Sequence, residues 1–409
     1  MFFLVKVIPL IWEALIRIII NPIFWAIVLF IGMQYKRINS SKKRLYGIPN
    51  EPVWQHTLLA TLHGILGGLV GSFVMVLVGI SISDIGIGFL WVVAIALMFI
   101  SPRFLCFSYA GTIIALSYMI FGWPEVEVAQ LMGLVAILHL VESFLILISG
   151  HLGAIAVYTK NSQGQTVGAF SMQKFWPIPI VVLMLVESLQ PGATGDVLKT
   201  PDWWPILKPL EGGDDYIYAI IPVMAGLGYG DVAITMPPQQ KSRHSAAILA
   251  VYSIVLLFLS IIASRAPYLN ILPALFGALG HEITIWIGKR NQLRGIPFYV
   301  SPERGVKVLD VLRESLASRI GIKSGDIIYS INGVEVNNRY ELQEILEEVT
   351  IYLEIEYLKG QSNTITREVL WRRNNETIGI IPAPEQNDRP HVHLSTQGIL
   401  LRWFKKIKH

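Results

Sequence analysis

The chain has 409 residues, of which 53% are hydrophobic and only 15% carry a charged side chain. Soluble domains are about one quarter charged, so this composition excludes an ordinary soluble protein and predicts one that crosses a membrane several times. The formal net charge of +4 is too small to indicate a nucleic-acid-binding protein. A single cysteine, Cys106, excludes a disulfide framework, and we expect no cysteine metal site.

Residues 1–21 predict an amphipathic helix that lies at the membrane interface. Lys6, Glu13 and Arg17 fall on one face of this helix, and large apolar side chains occupy the rest. The pair Asn21-Pro22 is expected to end the helix before the first crossing.

Residues 22–290 predict an α-helical polytopic membrane domain with about eight to nine spans, since each crossing needs about 20 apolar residues. Several segments are short, so a count of seven is also possible. Four glycines in the second span predict a face that a neighbouring helix approaches closely. The candidate spans are 22–35, 57–80, 85–101, 104–121, 128–150, 176–190, 216–230, 246–264 and 267–287.

Basic residues predict which side of the membrane each loop faces, because Lys and Arg accumulate in cytoplasmic loops. The segment YKRINSSKKR follows the first span, and alternation from there puts the later basic loops on the same side. The acidic segment 191–215 falls on the opposite side. We therefore expect a multi-pass membrane protein with a cytoplasmic C-terminal domain. The loop after the first span is cytoplasmic, so a cytoplasmic C-terminal domain requires an odd number of crossings, which favours nine over eight.

Residues 297–385 predict a separate α+β domain. GVKVLDV alternates as a half-buried strand does, and Asn332-Gly333 is a hairpin signal. NNRYELQEILEEV then predicts an amphipathic helix behind an asparagine cap. This order resembles a bacterial-type PDZ domain, and GIKSGDIIYSINGVEV is its most diagnostic stretch.

The resemblance implies that an extended peptide adds as a strand beside the domain's long helix. By position, the carboxylate loop is 302–305 and the receiving strand is 306–311. An alternative is a PDZ domain that only packs against its own membrane domain. The expected peptide-binding residues are Arg304, Gly305, Val306, Lys307, Val308, Tyr340 and Gln343.

The remaining residues, 386–409, predict a basic amphipathic tail. RWFKKIKH places Trp403 and Phe404 among basic residues, which is typical of a helix lying on anionic lipid. A frayed, solvated tail is the alternative.

Three groups of polar residues in the membrane domain suggest enzymatic or transport chemistry. GYGD, ending at Asp231, resembles the signature of presenilin-type and prepilin-peptidase-type aspartyl proteases, which need a second aspartate close by. We find no such aspartate in the preceding span and interpret residues 226–231 as a helix end and turn.

The other two groups contain histidine and glutamate. His281 and Glu282 suggest a metalloprotease, but the second histidine that zinc needs four residues later is absent. His139 and Glu142 lie one turn apart inside a span, where ionisable residues often mark a transport path. We expect no catalytic residue, no metal and no cofactor, and keep an intramembrane protease or a transporter as alternatives.

The whole layout, a polytopic domain followed by one PDZ domain, resembles the Gram-positive polytopic membrane PDZ-domain proteins. The resemblance implies a non-enzymatic scaffold or adaptor in the bacterial cell membrane, with the lipid bilayer and a protein or peptide as partners. It further suggests cell-division site placement or cell-envelope organisation, with division-site proteins among the partners.

Overall fold

The computed structural model describes residues 2–46, 52–83, 85–187, 201–209, 216–348, 352–360, 362–372, 377–385 and 387–390. The acidic segment 191–215 is thus described only at 201–209, and the tail 386–409 only at 387–390. The rest of both predictions lies outside the described residues. The described chain forms a mainly helical N-terminal part with one three-stranded sheet and a C-terminal part with a six-stranded sheet.

Helices make up most of the N-terminal part. Residues 1–21 were predicted to be helical, and a helix covers nearly all of them. The helices are α1 (Phe2–Ile20), α2 (Pro22–Tyr46), α3 (Val53–Val78), α4 (Ile87–Ile100), α5 (Phe107–Phe121), α6 (Val128–Ser149), α7 (Pro238–Arg265) and α8 (Ile271–Arg294).

Fewer helices can cross a membrane than the eight to nine spans predicted from the sequence. Within the described ranges, four helical segments are long and apolar enough, namely α3, α6, α7 and Pro267–Arg294, which contains α8. A fifth is added if α1 and α2, bent by 65° at their junction, count as one span. Helices α4 and α5, with 14 and 15 residues, are shorter apolar helices.

Two predicted spans, 176–190 and 216–230, are strands instead, the first of them over its described residues 176–187. Strands β1 (Ile155–Lys160), β2 (Thr166–Glu187) and β3 (Tyr216–Ala233) form an antiparallel sheet in the order β1-β2-β3. Prolines at positions 177, 179 and 222 explain the difference, because proline in a helix interior removes a hydrogen bond and clashes with the preceding turn. Both strands are long, and their pairing runs from Phe170↔Ala233 to Glu187↔Tyr216.

The edge of β2 that faces away from β3 is closed by side chains and backbone from earlier in the chain. The Phe175 amide donates to the Tyr35 hydroxyl (3.2 Å), and the Val181 amide donates to Ser72 Oγ (2.8 Å). Further along, the Leu183 amide donates to the Ile80 carbonyl and the Leu185 amide to Ser83 Oγ. Between these positions stand Pro177 and Pro179, which have no amide hydrogen, so this edge needs no further acceptors there.

The glycine face of α3 packs mainly against this strand edge. A Cβ on Gly64 would lie 2.1 Å from the Pro177 carbonyl oxygen, and one on Gly68 would lie 1.9 Å from that of Pro179. Gly67 faces a side chain of α6, and Gly71 faces side chains of both α6 and β2. The predicted close approach of a neighbouring helix is therefore found at Gly67 and Gly71, where the helix is α6, whereas the neighbour at Gly64 and Gly68 is a strand.

The C-terminal part holds the elements predicted for residues 297–385. Its sheet has the order β8-β7-β5-β4-β9, with β6 paired to β5. Asn332 and Gly333 both have positive φ, as the predicted hairpin turn requires. The elements are β4 (Val306–Val311), α9 (Leu316–Arg319), β5 (Ile327–Ile331), β6 (Val334–Glu335), α10 (Arg339–Glu348), β7 (Tyr352–Lys359), β8 (Thr364–Trp371) and β9 (Ile380–Pro382).

Hydrogen bonds join the two parts where the β1–β2 end of the first sheet meets the second. The Gly168 amide donates to the Tyr299 carbonyl (2.8 Å), and the Phe298 amide donates to the Ile234 carbonyl (2.9 Å). Tyr299 is buried and packs edge to face on Phe170. The C-terminal sheet is therefore seated against the N-terminal part.

Candidate functional site

The loop before β4 is built around Gly305. Its φ is +86°, and a Cβ there would lie 2.7 Å from the Ile328 carbonyl oxygen, so only glycine fits. Its amide donates to Asn337 Oδ1 (3.2 Å). Arg304 is exposed and binds Glu335. The structure thus gives the two predicted loop residues partners within the domain.

Strand β4 forms as predicted, but both of its edges are occupied. Val306 and Lys307 pair with β5, and the Val308 amide donates to the Asp326 carbonyl (2.8 Å). On the other edge, β9 pairs with β4, and the Ala383 amide donates to the Lys307 carbonyl (2.8 Å). A peptide can therefore pair with β4 only if β9 leaves.

Lys307 is engaged within the structure rather than aimed at a ligand. Its Nζ donates to the Phe298 carbonyl (2.6 Å) and lies 4.5 Å from the centre of the Phe298 ring. Partial burial lowers the pKa of Lys307 below its ordinary value. This side chain supports the junction ahead of β4.

Helix α10 presents the two remaining predicted residues on its exposed side. Tyr340 is 63% exposed, and its hydroxyl accepts from Arg339 Nη2 (2.9 Å). Gln343 is also exposed and donates to Glu347 (2.8 Å). Both side chains are open to a partner that approaches this helix.

The sheet ends at β8 on one side and at β9 on the other, and the residues after β9 hold the start of α10. Asp388 binds Arg339 (2.7 Å), and Glu385 Oε1 accepts from the Arg339 amide (3.0 Å). Because β9 is an end strand and the residues after it contact the start of α10, the edge of the sheet on this side lies at β9 and not at β4. Sequence analysis did not predict strand β9, because its three residues follow β8 with no recognisable strand period.

Tyr158 of β1 reaches the same end of the domain. Its hydroxyl donates to the Pro382 carbonyl (2.9 Å). Burial raises the pKa of Tyr158 to about 12, and the nearby Asp388 carboxylate adds to this. The hydroxyl therefore stays protonated at neutral pH and remains a donor to β9.

Residues 226–231 lie inside strand β3, so the interpretation as a helix end and turn was wrong. Asp231 forms an ion pair with Lys241 (2.7 Å) and accepts a hydrogen bond from Ser245 (2.8 Å). The Tyr229 hydroxyl lies 3.2 Å from the same carboxylate. Asp231 is thus compensated by a buried lysine, whereas an aspartyl protease would place a second carboxylate beside it.

The histidines of the two suspected pairs lie close to each other and to the cysteine. The ligand atoms of Cys106, His139 and His281 all lie within 4.8 Å of one another. Glu282 instead accepts a hydrogen bond from Tyr109 (2.7 Å) and lies 3.5 Å from Arg103. These three residue types can hold a metal ion, a possibility that sequence spacing did not reveal because they come from three separate segments.

Comparison with known proteins identifies the class of the C-terminal domain. Residues 307–357 match the model of the PDZ domain family. The match runs from the second residue of β4 through β5, β6 and α10 into β7, so the chain contains a PDZ domain.

The chain as a whole is similar to the cell division topological determinant MinJ of Bacillus subtilis (strain 168). The two sequences are 23% identical over 378 residues, which cover 83% of this chain and 86% of MinJ. The aligned region extends well beyond the PDZ domain. This similarity supports the predicted relationship to a membrane PDZ-domain protein of cell division.

Proposed function

We propose that the chain is a non-enzymatic adaptor of the bacterial cell membrane that acts in cell division. Its helical part anchors it, and its PDZ domain faces the cytoplasm and recruits protein partners. The observation that carries this proposal is the similarity to MinJ over most of both chains, together with the PDZ domain. The long apolar helices and the distribution of basic loops support the membrane anchor.

The recruiting surface in this proposal is the β9–α10 surface, formed by the end strand β9 and the exposed face of α10 with Tyr340 and Gln343. PDZ domains bind an extended peptide as an added strand at a sheet edge, and β9 is the one of the two end strands of this sheet that neighbours β4. The predicted residues from Arg304 to Val308 then act indirectly, because they hold β4 and its pairing with β9.

The pairing of Asp231 with Lys241 supports a non-enzymatic role. The Asp231 carboxylate contacts the buried ammonium group of Lys241 at 2.7 Å, where an aspartyl protease would place a second aspartate. The adaptor proposal therefore assigns Asp231 a structural role in fixing β3 to α7.

The test is to crosslink the full-length tagged protein in cells and identify the proteins that co-purify. We expect division proteins with the wild type and their loss when residues 297–385 are removed. Tyr340→Ala should reduce their recovery about tenfold or more, because truncating a central tyrosine of an interface costs about 2 kcal/mol. Tyr352→Ala is the matched control, since Tyr352 is exposed but lies on β7, away from β9.

Two results would contradict the proposal. If the same division proteins remain bound after the PDZ domain is removed, recruitment belongs to the helical part. If Tyr340→Ala and Tyr352→Ala behave alike in folded proteins, the β9–α10 surface is not the recruiting surface.

A further inference from the structure

Three side chains of metal-binding type converge among the helices of the N-terminal part. Cys106 stands just before α5, His139 lies in the middle of α6, and His281 lies in α8. Cys106 Sγ lies 3.0 Å from His139 Nε2 and 3.5 Å from His281 Nε2. We propose that these residues form a three-ligand site for a transition-metal ion, zinc by the chemistry of its donors.

The distances suit such an ion. Zinc bonds to sulfur at about 2.3 Å and to histidine nitrogen at about 2.0–2.1 Å, so tetrahedral geometry places sulfur and nitrogen about 3.6 Å apart. The observed separations of 3.0 and 3.5 Å are within about half an ångström of this value. Small side-chain adjustments, without backbone movement, admit the ion.

The hydrogen bonds of His139 fix its ring in the form that binds a metal. His139 Nδ1 lies 2.7 Å from the Val135 carbonyl oxygen, which can only accept, so Nδ1 carries the proton. Nε2 therefore presents its lone pair toward Cys106. Ser108 Oγ lies 3.2 Å from the same Nε2 but can instead donate to the Tyr252 oxygen at 2.7 Å.

His281 is oriented by a chain of polar groups. Its Nδ1 lies 3.3 Å from the Tyr109 hydroxyl, and that hydroxyl donates to Glu282 (2.7 Å). Because the single phenol proton goes to Glu282, the Tyr109 oxygen accepts from Nδ1, and Nε2 of His281 keeps a free lone pair. Ligating histidines in metal sites are held in this way by partners behind the ring.

The site has an open side and a cross-linking role. His139 is buried, whereas Cys106 and His281 are half-buried, so a fourth ligand such as water can complete the coordination. An ion bound here would tie together α6, α8 and the segment that leads into α5. No local pattern indicates this site, because none of the three residues is within a metal-binding spacing of another.

The first experiment uses the wild-type full chain in lipid nanodiscs and needs no variant. Cys106 is the single cysteine of the chain, so a thiol-specific reagent reports on this site alone. Zinc should slow the alkylation of Cys106 several-fold, and a chelator should restore it, because a coordinated thiolate is no longer available as a nucleophile. Equal rates with zinc and with chelator would overturn the proposal.

The second experiment replaces zinc with cobalt(II), whose spectrum reports on its ligands. We expect a thiolate-to-cobalt charge-transfer absorption that is lost in Cys106→Ser and in His281→Gln. His244→Gln is the matched control, because His244 is an exposed histidine of α7 whose Nε2 contacts Asn291. It should keep the full absorption.

A graded variant separates metal binding from a hydrogen-bonded cluster that only packs. Tyr109→Phe removes the oxygen that accepts from His281 Nδ1 and should weaken cobalt affinity about 10- to 100-fold. Two results would contradict the proposal: no cobalt absorption in the intact wild type, or an absorption that persists in a folded Cys106→Ser protein. Either would show that the three side chains form hydrogen bonds with one another and do not bind a metal ion.

Discussion

At the scale of single residues, Gly305 shows how one position sets the geometry of the PDZ domain. Its positive φ turns the chain into β4, and its missing side chain lets β5 approach within contact of the backbone. Two separate requirements meet here, the dihedral angle and the space.

Gly305→Ala should lower the free energy of unfolding of the PDZ domain by about 2–4 kcal/mol. About 1–2 kcal/mol comes from the left-handed backbone, and the rest comes from a Cβ placed 2.7 Å from the Ile328 carbonyl oxygen. Hydrogen exchange of the β4 and β5 amides in the full chain measures the change.

Gly321→Ala is the control that separates the two requirements. Gly321 also has a positive φ, +81°, but a Cβ there would meet open space. Its loss should be only about 1–2 kcal/mol. Equal losses at both positions would mean that the close approach of β5 to Gly305 contributes nothing.

The residue scale also shows what the sequence could reveal about function. The glycine loop and the exposed Tyr340 follow from a local pattern, because a PDZ domain places them by short-range spacing. Cys106, His139 and His281 are separated by 33 and 142 positions along the chain. Only tertiary packing brings such residues together, so no local sequence pattern indicates that they form a site.

At the scale of elements, β2 and β3 are the main departure from the sequence prediction. Their apolar runs are as long as membrane helices, and hydropathy alone does not distinguish the two. The alternating prolines at 177 and 179 were the signal against a helix. They also fit β2 for a second reason, because their side of the strand packs on the glycines of α3 and proline has no amide hydrogen that needs an acceptor there.

The packing of α3 on β2 can be tested with Gly68→Ala. A Cβ at this position would lie 1.9 Å from the Pro179 carbonyl oxygen, so α3 and β2 must move apart. We expect a loss of about 1–3 kcal/mol, the usual cost of overpacking. Thermal unfolding of the full chain in detergent would register it as a lower midpoint.

Gly88→Ala in α4 provides the comparison. A Cβ on Gly88 has nothing within 4 Å, and alanine favours a helix over glycine by about 1 kcal/mol. Its midpoint should be unchanged or higher. If Gly68→Ala also leaves the midpoint unchanged, α3 does not approach β2 closely enough at Gly68 to exclude a Cβ.

Strand β4 shows how an element can be predicted correctly and its role misjudged. Its bounds follow from the alternating sequence, whereas its neighbours depend on β9, which arrives about 70 residues later in the chain. A proline at Val308 would remove the amide that donates to Asp326, a bond within the domain. Loss of partner binding in such a variant would therefore report unfolding of the sheet.

At the scale of the whole molecule, Tyr158 connects the helical part to the end of the PDZ domain. Its hydroxyl donates to Pro382 of β9, and Thr166 Oγ1 donates to the Asp388 carbonyl (2.8 Å). The same end of the domain belongs to the proposed β9–α10 surface. Recruitment of a partner and seating of the PDZ domain therefore involve neighbouring groups.

Tyr158→Phe should loosen β9 without unfolding either part. The Pro382 carbonyl loses its donor, a change that costs about 0.5–1.5 kcal/mol. Faster hydrogen exchange in residues 378–390, with unchanged exchange in β7 and β8, is the expected result.

Tyr352→Phe removes the same hydroxyl from a tyrosine of β7 and should leave residues 378–390 unaffected. If Tyr158→Phe also leaves them unaffected, the β1–β2 end does not hold β9 in solution.

The closed edge of β2 has a consequence for biosynthesis. All the groups that close it, from Tyr35 to Ser83, precede β2 in the chain, so they leave the ribosome first. The groups that cover this edge of β2 have therefore already been synthesised when the β2–β3 hairpin emerges. A circular permutant that starts at residue 85 would be synthesised in the opposite order. The edge amides of its hairpin would then lack hydrogen-bond acceptors until the helices that cover them had been synthesised.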